Sequence, residues 1–212
     1  MAIDRQSGGS PIIRFTKSLY LTNLLFITLA LCVIGLFACF IFDEYFYLMQ
    51  LALGVFCVFI LLDIFTVFRQ KKGITGTRNC PDRLSNGDQN TISFSITNRY
   101  PFKIRIKIVE EVPFQFQKRD LIFKTSLGVD RSEVFYYDLR PTQRGVYQFG
   151  ALNVYVAGLF GFVSRRYIFD NHKDVAVYPS FIEMHKYELL AASHRLTDYG
   201  VKRIRRIGHA TE

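Results

Sequence analysis

Two long apolar runs, residues 19–42 and 45–68, constrain this chain more than anything else in it. Each is 24 residues long, roughly 36 Å as a helix at about 1.5 Å per residue. A bilayer hydrocarbon core is about 30 Å thick, so both runs can span with some tilt. Only Asp43-Glu44 separates them, which makes the pair a helical hairpin. Irregular backbone has no partners in lipid, so each run is expected to be helical throughout. A cleaved signal sequence has a much shorter apolar core. Leu36-Phe37-Ala38-Cys39 looks like a lipoprotein cleavage box, but Phe37 is too bulky and the apolar run continues beyond the cysteine.

Basic residues set the orientation. Arg5, Arg14 and Lys17 precede the hairpin, Arg69, Lys71, Lys72 and Arg78 follow it, and the connection carries none. The positive-inside rule then places both ends in the cytoplasm. The net charge of +9 is partly these flanks, which also attract anionic lipid headgroups. No recognition motif accompanies the charge, so a nucleic-acid partner is not expected. Three cysteines, Cys32, Cys39 and Cys57, lie in the apolar runs and only Cys80 outside them, with no metal-ligand spacing. Within the second run Asp63 stands out, because an ionisable residue in a span marks function by default. The simpler expectation is that it reaches the headgroups or pairs with Arg69, being close to the end of the run.

From Ile74 the periodicity changes to two. Thr91-Ile92-Ser93-Phe94-Ser95-Ile96-Thr97 and Lys103-Ile104-Arg105-Ile106-Lys107-Ile108 alternate strictly, as strands with one buried face do. Turn signals fall at Ser85-Asn86-Gly87-Asp88 and around Pro101. Further strands are expected at 120–126, 132–139, 145–156, 162–169 and 174–178, and a helical pattern returns after Tyr178-Pro179. The expected architecture is a membrane α-helical hairpin plus an all-β domain, an antiparallel immunoglobulin-like β-sandwich, with a short C-terminal helical and basic tail. The divisions are a cytoplasmic tail at 1–18, the hairpin at 19–68, the sandwich at 74–180, and a helix and basic tail at 181–212.

Several stretches resemble the bacterial family known as DUF 58, a domain of unknown function. They are Arg140-Pro141-Thr142-Gln143-Arg144-Gly145-Val146-Tyr147-Gln148-Phe149-Gly150, then Leu159-Phe160-Gly161-Phe162, and Val175-Ala176-Val177-Tyr178-Pro179. The family motif positions are Arg144, Gly145, Tyr147, Gly150, Gly161, Tyr178 and Pro179. The family often carries Asp at the position of Gly158, where this chain departs. Residues 200–212 look like the opening of the family's defining block, whose continuation and following von Willebrand A-like domain are absent, implying a truncated or fragmentary chain. The resemblance further implies a bacterial inner-membrane protein accessory to a MoxR-type AAA+ ATPase, with other von Willebrand A-domain membrane proteins as further partners.

The residues themselves suggest structure rather than catalysis. Gly145 permits positive φ, and Arg144 can cap carbonyls at a sandwich corner. Glu110 and Glu111 point to opposite faces of a strand and cannot share an acid–base site. The four histidines show no metal pairing, and no phosphate-cradling glycine motif occurs. No catalytic, cofactor or metal residue is assigned. Lys202, Arg203, Arg205 and Arg206 are candidates for lipid or partner contact. The expected function is therefore a non-catalytic, membrane-anchored interaction module. The alternative is part of a hydrolase or metal-binding protein whose active region lies beyond residue 212.

Overall fold

A computed structural model describes residues 11–41, 45–70, 72–118, 121–169 and 172–192. Asp43-Glu44 and the cluster Lys202, Arg203, Arg205 and Arg206 lie outside them, as do Arg5 and Lys71.

The described residues begin with a short helix, α1 (Pro11–Ser18), within the stretch expected to be a tail. Pro11 fits its first position, where no N–H is needed. The first apolar run is then not helical throughout. Its opening residues form a strand, β1 (Leu19–Leu21), and the helix α2 (Asn23–Ile41) starts four residues late. The physical reason is that Leu19–Leu21 has a partner after all, a strand of the β domain. The second run keeps its expectation: α3 is continuous from Phe46 to Arg69. The two helices cross closely at Gly35, where an added Cβ would sit 2.6 Å from Met49 Cε. Both are long and apolar enough to cross a membrane, with only 6% and 11% of their apolar windows buried. Most of each window is exposed.

Ten strands follow: β2 (Ile74–Asn79), β3 (Arg83–Ser85), β4 (Asn90–Asn98), β5 (Ile104–Glu110), β6 (Leu121–Leu127), β7 (Ser132–Leu139), β8 (Gly145–Phe149), β9 (Leu152–Ala157), β10 (Val163–Phe169) and β11 (Lys173–Tyr178). They form three sheets, ordered β1-β10-β9-β5-β6, β3-β11-β8 and β2-β4-β7. Pairing is antiparallel except between β11 and β3. The expected strand at 145–156 is two strands, because Gly150 donates its N–H to Glu111 O and turns the chain there. A helix, α4 (Phe181–Ala192), closes the described residues.

The sheets enclose one core. Ile92, Phe94 and Ile96 of β4 meet Ile104, Ile106 and Ile108 of β5, and Leu152, Val154 and Val156 of β9 complete the layer. Their alternating burial is the alternation read in the sequence. Inside this core Arg78 and Glu110 form a buried ion pair at 2.6 Å, and Tyr137 donates its hydroxyl to the same carboxylate oxygen at 3.0 Å. Burial pushes the Glu110 carboxyl above its ordinary value, with Arg78 and Tyr137 pulling it back.

Candidate functional site: the seam between the helices and the sandwich

One face of α3 meets the sandwich, and Asp63 is at its centre. Its carboxylate is fully buried and accepts three backbone N–H bonds: from Phe160 to Oδ1 at 3.0 Å, and from Phe162 and Val163 to Oδ2 at 2.9 and 3.0 Å. The donors belong to the turn between β9 and β10, closed by Gly158 N–H to Val163 O. Successive amides converging on one anion make a nest, here filled by a side chain. The expectation that Asp63 reaches outward or pairs with Arg69 is therefore corrected. It points to the sandwich, because three donors there offer more than one exposed cation.

The turn needs its glycines. Gly161 has φ +84, and a Cβ at Gly158 would lie 2.1 Å from Asp63 Oδ1. A side chain at position 158 has no room, since the space is taken by the carboxylate of α3. Phe160 and Phe162 pack edge-on to Phe59 and Phe56, with centroids 4.9 and 5.3 Å apart. Thr22, before α2, donates its hydroxyl to Gly161 O at 2.6 Å and Phe162 O at 2.8 Å.

One turn further along α3 the polarity reverses. The last carbonyls of a helix lack intrahelical donors. Arg165 of β10 donates to Val67 O at 3.1 Å and Gln70 O at 2.7 Å, and lies over the ring of Phe68. Tyr100 donates to Val67 O at 2.8 Å and is within 2.6 Å of the Tyr167 hydroxyl. Burial pushes both tyrosines' ionisation upward, so they act as neutral hydrogen-bonding groups. β1, pairing Leu19, Tyr20 and Leu21 with Arg165, Ser164 and Val163, ties the start of α2 to the same strand. Both ends of the helical pair are thereby held at the sandwich.

The family-motif residues lie elsewhere. Gly145 has φ +147 with open space around it, so conformation rather than room calls for glycine. Tyr147 is buried and donates to Gln143 O at 2.9 Å. Arg144 is exposed, and the guanidinium that reaches a carbonyl in this corner is that of Arg140, bonding Gly87 O. Gly150 approaches Glu111 so closely that a Cβ would come within 2.8 Å of Glu111 Cβ. Tyr178 lies under Arg83, and Pro179 is exposed. Of these only Gly161 belongs to the seam. Glu110 and Glu111 do separate: the former is in the core, while the latter accepts from Ala151 N–H and the Asn153 amide. Among the described residues no group of three His, Cys, Asp or Glu side chains is placed to hold a metal.

No protein-family model and no curated protein matches the chain. Among solved structures it is similar to the CARDB domain of the PF1109 protein from Pyrococcus furiosus, at 18% identity over 50% of this chain and 87% of that one, with TM-score 0.36. The C-terminal domain of wzt overlaps 51% of this chain and 75% of its own at 13% identity and TM-score 0.35. Structural genomics target SoR45 covers 67% of this chain and 99% of its own at 8% identity and TM-score 0.33.

Proposed function

We propose that the chain is a membrane-anchored, non-catalytic interaction module whose sandwich is held rigidly against its helical hairpin. The seating of Asp63 on three turn amides carries this reading. In hydrocarbon every backbone polar group needs an internal partner. The turn packs on Phe59 and Phe56, which lie about 15 and 20 Å along α3 from Arg69 at 1.5 Å per residue. A turn packed on an apolar helix at the membrane boundary is tolerable only with its amides answered, and Asp63 answers them. The hairpin is N-in and C-in, since Lys17, Arg69 and Lys72 gather at the sandwich end. The sandwich then lies on the cytoplasmic face of a bacterial inner membrane. Its partners, on the resemblance to DUF 58 proteins, are a MoxR-type AAA+ ATPase and other von Willebrand A-domain membrane proteins, and its immunoglobulin-like sheets serve as the contact surface.

The test is topological. A fluorescent-protein reporter at the C-terminus should be bright, an alkaline phosphatase reporter there should be inactive, and the chain should stay with membranes at high pH. Phosphatase activity, or release by alkali, would sink the proposal.

A further inference from the structure

The outer face of the five-stranded sheet carries a basic groove beside the start of α2. Its volume is about 900 Å³, and its lining includes Tyr20, Leu24, Arg105, Lys107, Lys124 and Ser126. The register explains how the cations meet. Lys107 of β5 is directly opposite Lys124 of β6, and Arg105 is opposite Ser126 one pleat nearer the seam. Directly opposed side chains on one face have Cβ atoms about 5 Å apart, and like charges there are destabilising. All three cations are exposed, and among the described residues no carboxylate pairs with them. The acid of β5 itself, Glu110, is in the core with Arg78, Glu111 just beyond it is committed to Asn153 and Ala151, and Glu133 accepts from Thr125. The Arg105 guanidinium lies against the turn, its Nη2 within 2.5 Å of where a Cβ on Gly161 would stand. The groove therefore opens at the seam, next to the apolar surface of α2, where Leu24 is exposed.

Two features single out one occupant. A doubled lysine facing across a strand pair is costly unless an anion lies between the charges. The groove is also polar and cationic at one end and apolar at the other. We propose that it binds the headgroup of an anionic glycerophospholipid from the adjacent leaflet. Arg105, Lys107 and Lys124 meet the phosphate, Ser126 adds a hydroxyl, and the acyl chains run down α2 past Leu24. This rests on the membrane-anchored reading above. It adds a defined lipid site on the sandwich itself, distinct from diffuse attraction by the flanking charges.

The full chain in neutral detergent is titrated with phosphatidylglycerol, phosphatidylcholine and inorganic phosphate, with retained lipid read by native mass spectrometry and thermal stabilisation followed in parallel. One phosphatidylglycerol should be retained per chain, at least tenfold more tightly than phosphatidylcholine. Replacing both Lys107→Ala and Lys124→Ala should weaken phosphatidylglycerol about thirtyfold, taking about fivefold per surface cation. Phosphatidylcholine should be unaffected. The lipid-free melting temperature of the double variant should be equal to or above that of the parent, because the opposed charges are gone. Equal binding of the two lipids, an unaffected variant, or equal protection by inorganic phosphate alone would overturn the site. Alkaline extraction of the same protein from vesicles separates the two ideas: release refutes the anchor, whereas retention without lipid preference refutes the headgroup site alone.

Discussion

Replacing Asp63 by alanine removes the acceptor for three backbone donors at once. The Val163 amide is buried and those of Phe160 and Phe162 are partly so. A buried donor left without a partner costs about 1–3 kcal/mol. Taking about 2 for Val163 and about 1 for each of the others gives about 4 kcal/mol. The two aromatic contacts of the turn are worth about 0.5–1.5 kcal/mol each beyond their area, so they cannot compensate for the loss. Asp63→Asn keeps one acceptor oxygen but turns an amide group toward a donor, and about half the cost is expected. Gly158→Ala attacks the same contact from the other side, since its Cβ would stand 2.1 Å from Oδ1. The two changes should therefore be strongly non-additive, with Gly158→Ala costing about 3 kcal/mol in the parent and under about 1 in the Asp63→Ala background. Urea unfolding of the full chain in neutral detergent, followed by near-ultraviolet circular dichroism of its tyrosines, measures all four corners of the cycle. Additive costs, or an Asp63→Ala midpoint equal to the parent's, would refute the seating of the helix on the turn.

Buried groups in the core and at the seam give three further outcomes. Glu110→Ala should destabilise by about 3–5 kcal/mol by leaving Arg78 buried without its carboxylate, while Arg78→Met with Glu110→Leu should be near neutral in the same unfolding assay. Glu110 is raised in the fold by burial from an ordinary value of 4.5, so its contribution is whole below that pH and is lost as pH rises through the folded value; the stability of the parent relative to Glu110→Gln should accordingly fall as pH is raised above 4.5. Arg165→Ala should strip Val67 O and Gln70 O of a charged donor and cost about 2–3 kcal/mol, seen also as faster tryptic cleavage after Arg69, with Arg165→Lys restoring part of the protection.

Much of the fold was legible because it obeys simple periods. The strict alternation at 91–97 and 103–108 is the alternation of β4 and β5, and 132–139 coincides with β7. What escaped depends on long-range partners. Leu19–Leu21 reads as the start of an apolar helix, and only β10, more than 140 residues later, makes it a strand. The division of 145–156 depends on Glu111, just past the end of β5, accepting the Gly150 amide. Asp63 looks like a residue reaching for an interface, because its three donors are backbone groups about 100 residues away and backbone leaves no mark in composition. One signal was available. The chain has a carboxylate at position 63 inside an apolar run, and the space that a side chain at Gly158 would need is the space that carboxylate fills. The basic groove was hidden for a related reason: Lys107 and Lys124 become neighbours only through the β5–β6 register.

The seam also explains why α3 has one seating on the sandwich. Phe56, Phe59, Asp63 and Val67 fall at intervals of three, four and four residues, which places them on one face of the helix. Along that stripe the partners change in kind: rings for Phe56 and Phe59, amide donors for Asp63, then the Arg165 and Tyr100 donors at the Val67 carbonyl. Apolar packing alone would tolerate a slide, because one leucine or phenylalanine can replace another with modest loss. The polar groups do not tolerate it. Moving α3 by one residue turns it about 100° and shifts it about 1.5 Å, which withdraws the carboxylate from its three donors and carries the Val67 carbonyl away from Arg165 in the same step. The turn has surplus donors, the helix end has surplus acceptors, and a single register satisfies both. It is this complementarity, more than the apolar area shared between helix and sandwich, that fixes how the β domain is carried on its hairpin.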